Sequence, residues 1–247
     1  MATTLVTCYY PLRSKYPDAQ YIQWARTFLQ LDASIVLFTE PALAPLFRSI
    51  HEQQHAQQQQ HAHHAGGATN KLCILEVPFE QLDAWTLWKE QWIQQHELDP
   101  EKNIHSPELY AIWAQKAFFV KKAVDLNPFK TEFFFWCDIG AFREGSLNPV
   151  VQTSFPDSRF LLADRILFSS VAPLAPDDFL RGPDGIKGDF LRVDRLVGGL
   201  WGGGAAGCVR WLAAYRSMLE RYLFWHCRDA AAAAAVAATL RERREHR

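Results

Sequence analysis

The group in this chain best placed to do chemistry is a carboxylate at the end of an apolar run. Phe133–Phe134–Phe135–Trp136–Cys137 leads directly into Asp138–Ile139–Gly140. Consecutive large apolar residues without alternation describe a strand covered on both faces. Ligands of open α/β sheets sit just beyond the carboxyl ends of such strands. Asp138 is therefore positioned to give a hard oxygen ligand to a divalent cation on a diphosphate, or to contact a substrate directly. Capping a strand-end turn is the ordinary alternative. Arg143 follows closely and either pairs with Asp138 or reaches a phosphate or sugar oxygen.

Lys116 is the second candidate. Leu109, Ile112, Lys116, Phe119 and Ala123 fall on one stripe of a helix expected from Pro107 to about Val124. A lysine in an apolar stripe snorkels, pairs, or faces a cleft, and a phosphate-binding lysine at the ligand edge of a sheet belongs to the last group. The run Leu196–Gly207 contains Gly202-x-Gly204-x-x-Gly207 ahead of a helix. That pattern matches the dinucleotide fingerprint, but no plausible strand or acidic residue follows at the usual distance. Gly198, Gly199, Gly202 and Gly203 read better as places where backbone approaches a ligand or another strand, or as a loop. His51, His55, His61, His63 and His64 sit in a biased Gln/His tract, where metal-like spacing is usually adventitious. No G-x-S-x-G elbow, H-E-x-x-H pair or Walker loop occurs.

These residues need a scaffold, and the pattern supplies one. Thr3–Tyr10, Ser34–Thr39, Leu72–Val77 and Phe133–Cys137 read as strands. Helices are expected after Asp18, over Leu82–Ile93 with Trp85, Trp88 and Trp92, and after Ser106–Pro107. Strand and helix alternate through the first 140 residues, which implies right-handed crossovers and a mostly parallel sheet flanked by helices. Beyond Gly140 the pattern is irregular. Arg159–Leu162 and Ile166–Ser169 are short strand candidates, and Val209–Leu223 is a helix. The tract 51–67 reads as a disordered insertion, and 229–247 as a solvated Ala-rich basic tail on a single domain spanning 1–228.

Composition narrows the class. The chain has 247 residues, 49% of them hydrophobic, enough for a substantial single core. A formal net charge of -1 gives no global field for nucleic acid or anionic membrane. Five scattered cysteines without a CxxC pair suggest a reducing compartment. No apolar stretch is long enough for a membrane span and no leader pattern is visible, so the expectation is a soluble, cytoplasmic protein.

Four segments together resemble the HtrL/YibB family: TTLVTCYYPL from Thr3, Tyr110-Ala-Ile-Trp-Ala-Gln-Lys116, the stretch Asn127–Arg143 containing FFFWCDIGAFR, and Val197-Gly-Gly-Leu-Trp-Gly-Gly203. The resemblance spans roughly 3–225 apart from the Gln/His tract. The family is itself similar to nucleotide-sugar glycosyltransferases of the GT-A type. The resemblance implies a GT-A-like, Rossmann-like fold and a nucleotide-diphospho-sugar donor with a glycan or other acceptor. It implies Mn²⁺ or Mg²⁺ on Asp138, with Asp138–Ile139–Gly140 in the place of a D-x-D motif. Thr7, Tyr9 and Tyr10 would lie at the nucleoside, Lys116, Gly140 and Arg143 near the diphosphate, and Gly198, Gly199, Gly202 and Gly203 at the donor sugar. Such sequences continue after the last helix with a Gly-x-Asp-Gln-like motif. Here Phe224–Trp225–His226–Cys227 leads into polyalanine, which reads as a truncated product or a lost part of the site. The alternatives are a catalytically inactive nucleotide- or sugar-binding relative, an interaction protein using its Trp-rich helices (Trp85 and Trp88) and the Gln/His tract as contacts, and, more distantly, a nicotinamide-dependent oxidoreductase.

Overall fold

A computed structural model describes residues 2–61, 71–143, 149–179 and 195–228. Six strands form one sheet: β1 (Thr3–Tyr9), β2 (Ser34–Thr39), β3 (Lys71–Glu76), β4 (Phe133–Cys137), β5 (Ile166–Ser170) and β6 (Leu196–Gly204). The helices are α1 (Asp18–Phe28), α2 (Ala44–His61), α3 (Asp83–Leu98), α4 (Pro107–Leu126), α5 (Pro149–Ser154) and α6 (Ala205–Arg228). Strand order across the sheet is β3-β2-β1-β4-β6-β5. The pairs β1–β2, β2–β3 and β1–β4 are parallel, whereas β6 runs antiparallel to both β4 and β5. The sheet is therefore mixed rather than uniformly parallel, because the second half of the chain folds back beside β4.

The chain builds outward from β1 through β2 to β3, then returns to place β4 on the other side of β1. Strand order thus reverses between β1 and β4, the position at which doubly wound sheets open a crevice at their carboxyl ends.

Both faces of the sheet are covered. On one side Val6, Cys8, Tyr10, Val36, Phe38, Phe134, Trp136 and Trp201 pack under α3, α4 and α6. On the other, Leu5, Tyr9, Ile35, Leu37, Phe133, Phe135 and Cys137 pack with Phe28 of α1 and Phe47 and Ile50 of α2. No residue of β4 exposes more than 5% of its surface, as its unbroken apolar run implies. Successive residues of a strand face opposite sides. Phe134 and Trp136 face α4, so Asp138, two residues further, continues toward that helix.

α4 starts with Pro107 at its first position and stops at Asn127, which adopts a left-handed φ of 34°. Buried Gln115 fastens it to α3, accepting from the Ala84 N–H at 2.7 Å and donating to Asp83 at 3.3 Å. Trp85, Trp88 and Trp92 are buried between these helices. That corrects the expectation that Trp85 and Trp88 offer a contact surface: large rings at helical spacing fill the space between helices instead.

Two further expectations change. The Gln/His tract is helical as far as His61, because α2 begins with an apolar face on the sheet through Ala44, Phe47 and Ile50 and continues outward from it. Its remainder to 67 lies outside the described residues, as does the 229–247 tail. Ser158–Phe160 is a single 3-10 turn, not a strand, with Asp157 accepting from the Arg159 N–H. The Gly-rich run is strand β6, in keeping with the reading that its glycines let backbone approach another strand, and Gly202 and Gly204 form no dinucleotide-binding turn.

β6 can be this glycine-rich because it is squeezed between backbones. A Cβ on Gly202 would lie 2.5 Å from the Phe134 carbonyl oxygen, and one on Gly203 2.0 Å from that of Arg165. Gly198, by contrast, has nothing within 4 Å of the same position. Gly202→Ala and Gly203→Ala are each expected to destabilise the fold by about 1–3 kcal/mol through overpacking. Gly198→Ala should stay within about 0.5 kcal/mol of the parent. Urea midpoints of the three variants check this; equal midpoints would contradict the packing of β6.

Candidate functional site

The crevice between the carboxyl ends of β1 and β4 holds a cavity of about 390 Å³. Cys8, Tyr9 and Tyr10 come from the end of β1, and Trp136 to Ala141 with Arg143 from the end of β4, apart from Cys137 and Phe142. Ile112, Trp113 and Lys116 come from α4, and Val197, Gly199 and Leu200 from β6.

The centre of the site is an ion pair between elements far apart in sequence. Lys116 Nζ lies 2.8 Å from Asp138 Oδ1 and 3.0 Å from Oδ2. It also donates to the Gly198 carbonyl at 3.3 Å and stands 5.6 Å from the centre of the Trp136 ring. Trp136 Nε1 donates to Asp138 Oδ1 at 2.7 Å, and the Asp138 N–H donates to the Gly199 carbonyl at 2.9 Å. The carboxylate is held by two donors yet keeps 43% of its side-chain surface open, against 13% for the lysine. Gly199 makes this possible, since a Cβ there would lie 2.9 Å from Asp138 Oδ2.

Arg143 does not pair with Asp138. Its Nε donates to the Gly140 carbonyl at 3.2 Å and its Nη1 to Tyr16 Oη at 3.4 Å. The guanidinium rests 4.8 Å from the Trp24 ring centre and 5.3 Å from that of Tyr16. A cation stacked on aromatic rings keeps its charge near the cavity, and among the described residues no carboxylate neutralises it.

The residues singled out in the sequence separate into two groups. Tyr9, Tyr10, Lys116, Asp138, Gly140, Arg143 and Gly199 converge on this cavity. Gly198 borders an adjoining cavity that shares Lys116 and Asp138. Thr7, Gly202 and Gly203 do not reach either. Thr7 is fully buried, alternating in β1 with Cys8, and Cys8 takes the place at the rim. Gly202 and Gly203 face β4 and the segment before β5, where they serve close packing. Trp113 and Trp136 were not recognised, although spacing signals both: Trp113 lies one helical turn before Lys116, and Trp136 shares its strand face with Asp138.

Burial, reinforced by the Asp138 charge, pushes the Cys8 thiol far above the usual range, which disfavours the nucleophilic thiolate at neutral pH.

A divalent cation needs several oxygen donors together. Among the described residues no group of three or more His, Cys, Asp or Glu side chains is placed to share an ion. Asp138 is the one acidic residue in the described lining, and the Lys116 ammonium already contacts both of its oxygens. With the Lys116 ammonium against its one carboxylate, the described lining by itself does not make a Mn²⁺ or Mg²⁺ site.

A second polar cluster supports one wall of the site. Asp99 accepts from the Tyr110 hydroxyl, from the Glu101 N–H at 2.7 Å, and pairs with His105 Nδ1 at 2.9 Å. His105 and Tyr110 in turn pack on Trp113, with ring centres 5.3 and 5.6 Å away. The cluster fixes the turn ahead of α4 and thereby the most exposed ring of the cavity.

No helix of the described residues is long and apolar enough to cross a membrane. The sequence model of the family described as "Bacterial protein of unknown function (HtrL_YibB)" matches residues 2–164. That region contains β1, α4 and β4, hence Lys116, Asp138 and Arg143, but not β6. No curated protein matches the chain.

Burial works to raise the Asp99 pKa, but hydrogen bonds from Tyr110, the Glu101 N–H and His105 outweigh it and hold the carboxyl below its usual value. A depressed folded-state pKa contributes stability above the unfolded value, about 3.9, which disappears as pH falls through the folded value. Asp99→Asn should therefore lower the denaturation midpoint at pH 7 and flatten its decline below about pH 4. Parallel urea titrations from pH 7 to 3 measure this, and identical acid limbs would remove Asp99 from the account.

Proposed function

The chain belongs to the HtrL/YibB family of bacterial proteins of unknown function, and on that premise we propose that it binds a nucleotide-diphospho-sugar and transfers the glycosyl group to an acceptor. One observation carries this reading. The cavity opens where strand order reverses, at the carboxyl ends of β1 and β4, and combines aromatic walls with two cationic side chains. Switch-point crevices of α/β sheets are where nucleotides bind. The GT-A comparison forms part of the same proposal, supported by the helix-flanked mixed sheet and by the carboxylate at the end of β4.

In this reading Tyr9 and Tyr10 form the base of the nucleoside pocket. Their orientation is fixed from behind, Tyr9 donating to Asp18 at 2.9 Å and Tyr10 to the Val77 carbonyl at 3.1 Å. The diphosphate lies between Lys116 and Arg143. As the bond from the anomeric carbon to the diphosphate breaks, negative charge grows on the departing oxygen, and preorganised cations stabilise it. Asp138 keeps the ammonium in place before the donor arrives. No step is routed through a metal ion, for which the described lining by itself does not make a site.

A second reading, binding without turnover, draws on the engagement of Asp138 by both Lys116 and Trp136. It is separated from the first by whether a bound donor is ever transferred or hydrolysed.

Calorimetric titration with UDP and GDP, in EDTA and in Mn²⁺, tests the nucleotide site. At least one of the two is expected to bind in EDTA. Lys116→Met and Arg143→Met should each weaken that binding about tenfold, ~1.4 kcal/mol. Asp138→Asn should tighten it by removing a negative charge beside the phosphates. The proposal fails if neither nucleotide binds, or if both cation variants bind like the parent. Binding seen only with Mn²⁺ and lost in Asp138→Asn would instead restore a metal to the site.

A further inference from the structure

Beside the first cavity lies a second of about 380 Å³, with a different chemistry. Its lining is dominated by rings: Trp113, Phe168, Trp201, Trp211 and Tyr215. Four of them, from β5, β6 and α6, form a connected set, and Trp113 of α4 lines the same space. Phe168 stacks on Trp201 with centres 5.8 Å apart, and Trp211 meets Phe168 edge-on at 4.9 Å. Trp211 also lies 6.1 Å from Trp201 and 5.6 Å from Tyr215. Burial lifts the Tyr215 hydroxyl to about 12, so it remains a neutral donor at physiological pH. The charged groups of the described lining are confined to the border with the first cavity, where Lys116 and Asp138 line both spaces.

The geometry points to this second cavity as the acceptor subsite, built for a pyranose ring of a glycan. A pyranose carries C–H groups on its ring faces and hydroxyls around its edge. Stacked aromatic walls suit the faces, and a half-exposed carboxylate at one end suits two adjacent hydroxyls. The inference rests on the nucleotide-sugar reading of the first cavity and names its second substrate. The two ligands meet at Asp138. There the acceptor oxygen forms its bond to the anomeric carbon while the bond from that carbon to the diphosphate oxygen breaks. The electron pair leaves with the nucleoside diphosphate, and the acceptor hydroxyl proton passes to the Asp138 carboxylate.

Two variants alter the second cavity from opposite directions. Trp211→Ala removes a ring, with Trp211→Phe as its conservative control. Gly198→Phe adds one at the rim, where a Cβ meets nothing within 4 Å. The labelled full chain is applied to an array of immobilised pyranose oligosaccharides, and each variant is also titrated with UDP and GDP. The parent is expected to bind a subset of the glycans. Trp211→Ala and Gly198→Phe should reduce that signal about tenfold or more, and Trp211→Phe less than about threefold. Nucleotide affinity of Trp211→Ala should equal that of the parent, because Trp211 does not line the first cavity. Absence of glycan binding by the parent overturns the acceptor site while leaving any nucleotide binding standing. Glycan binding that survives both Trp211→Ala and Gly198→Phe overturns it as well. Glycan binding without nucleotide binding would sink the donor reading and keep the aromatic cavity as a carbohydrate site.

Discussion

The pairing of Lys116 with Asp138 is the constraint around which the rest of this molecule is arranged. A carboxylate at the end of a buried strand and a lysine in an apolar helical stripe would each be costly if left alone. Together they satisfy one another at 2.8 Å, and neither is wholly removed from water. An ion pair of this kind contributes modestly to stability, because desolvation offsets much of the attraction. Its consequence is geometric. It fixes one positive and one negative group at a known place, facing open volume on two sides.

The pair exists because two periodicities agree. Every second residue of β4 faces α4, which carries the series Phe134, Trp136, Asp138 toward the helix. Positions three and four apart on α4 face the sheet, which brings Ile112, Lys116 and Phe119 onto it. Shifting either element by one residue would turn Asp138 toward the α1 side or Lys116 toward solvent. Gln115 and the Asp99 cluster keep the helix in register, one by fastening it to α3 and the other by fixing the turn before it.

β6 completes the arrangement from the other side. Its glycines allow an antiparallel strand to lie tightly against β4 and the approach to β5, and at Gly199 to pass directly beside the carboxylate. The same strand carries Trp201 into the ring cluster, so one element separates the two cavities and contributes to both. The lysine–aspartate pair sits at their common border, where a donor in one and an acceptor in the other would meet.

Much of this was readable along the chain. The strands β1 to β4, the capped start of α4, the enclosed nature of β4 and the importance of Asp138 and Lys116 follow from local patterns of period two and 3.6 and from turn residues. Other features depend on contacts between distant segments. The helical Gln/His tract to His61 required the sheet on which Phe47 and Ile50 rest. The Gly-rich segment resembles a loop until Phe134 and Arg165 lie on either side of it, because glycine has no propensity that announces a strand. Thr7 and Cys8 could not be assigned to core or rim from β1 alone, since a strand covered on both faces shows no alternation. The sequence by itself determined which residues are chemically capable and which elements carry them. Only the tertiary structure decided that Lys116 meets Asp138, that Arg143 turns to Tyr16 and Trp24 instead, and that five rings from four elements enclose one space. Those partners are separated by up to 127 residues, and the forces that join them act through space and not along the chain.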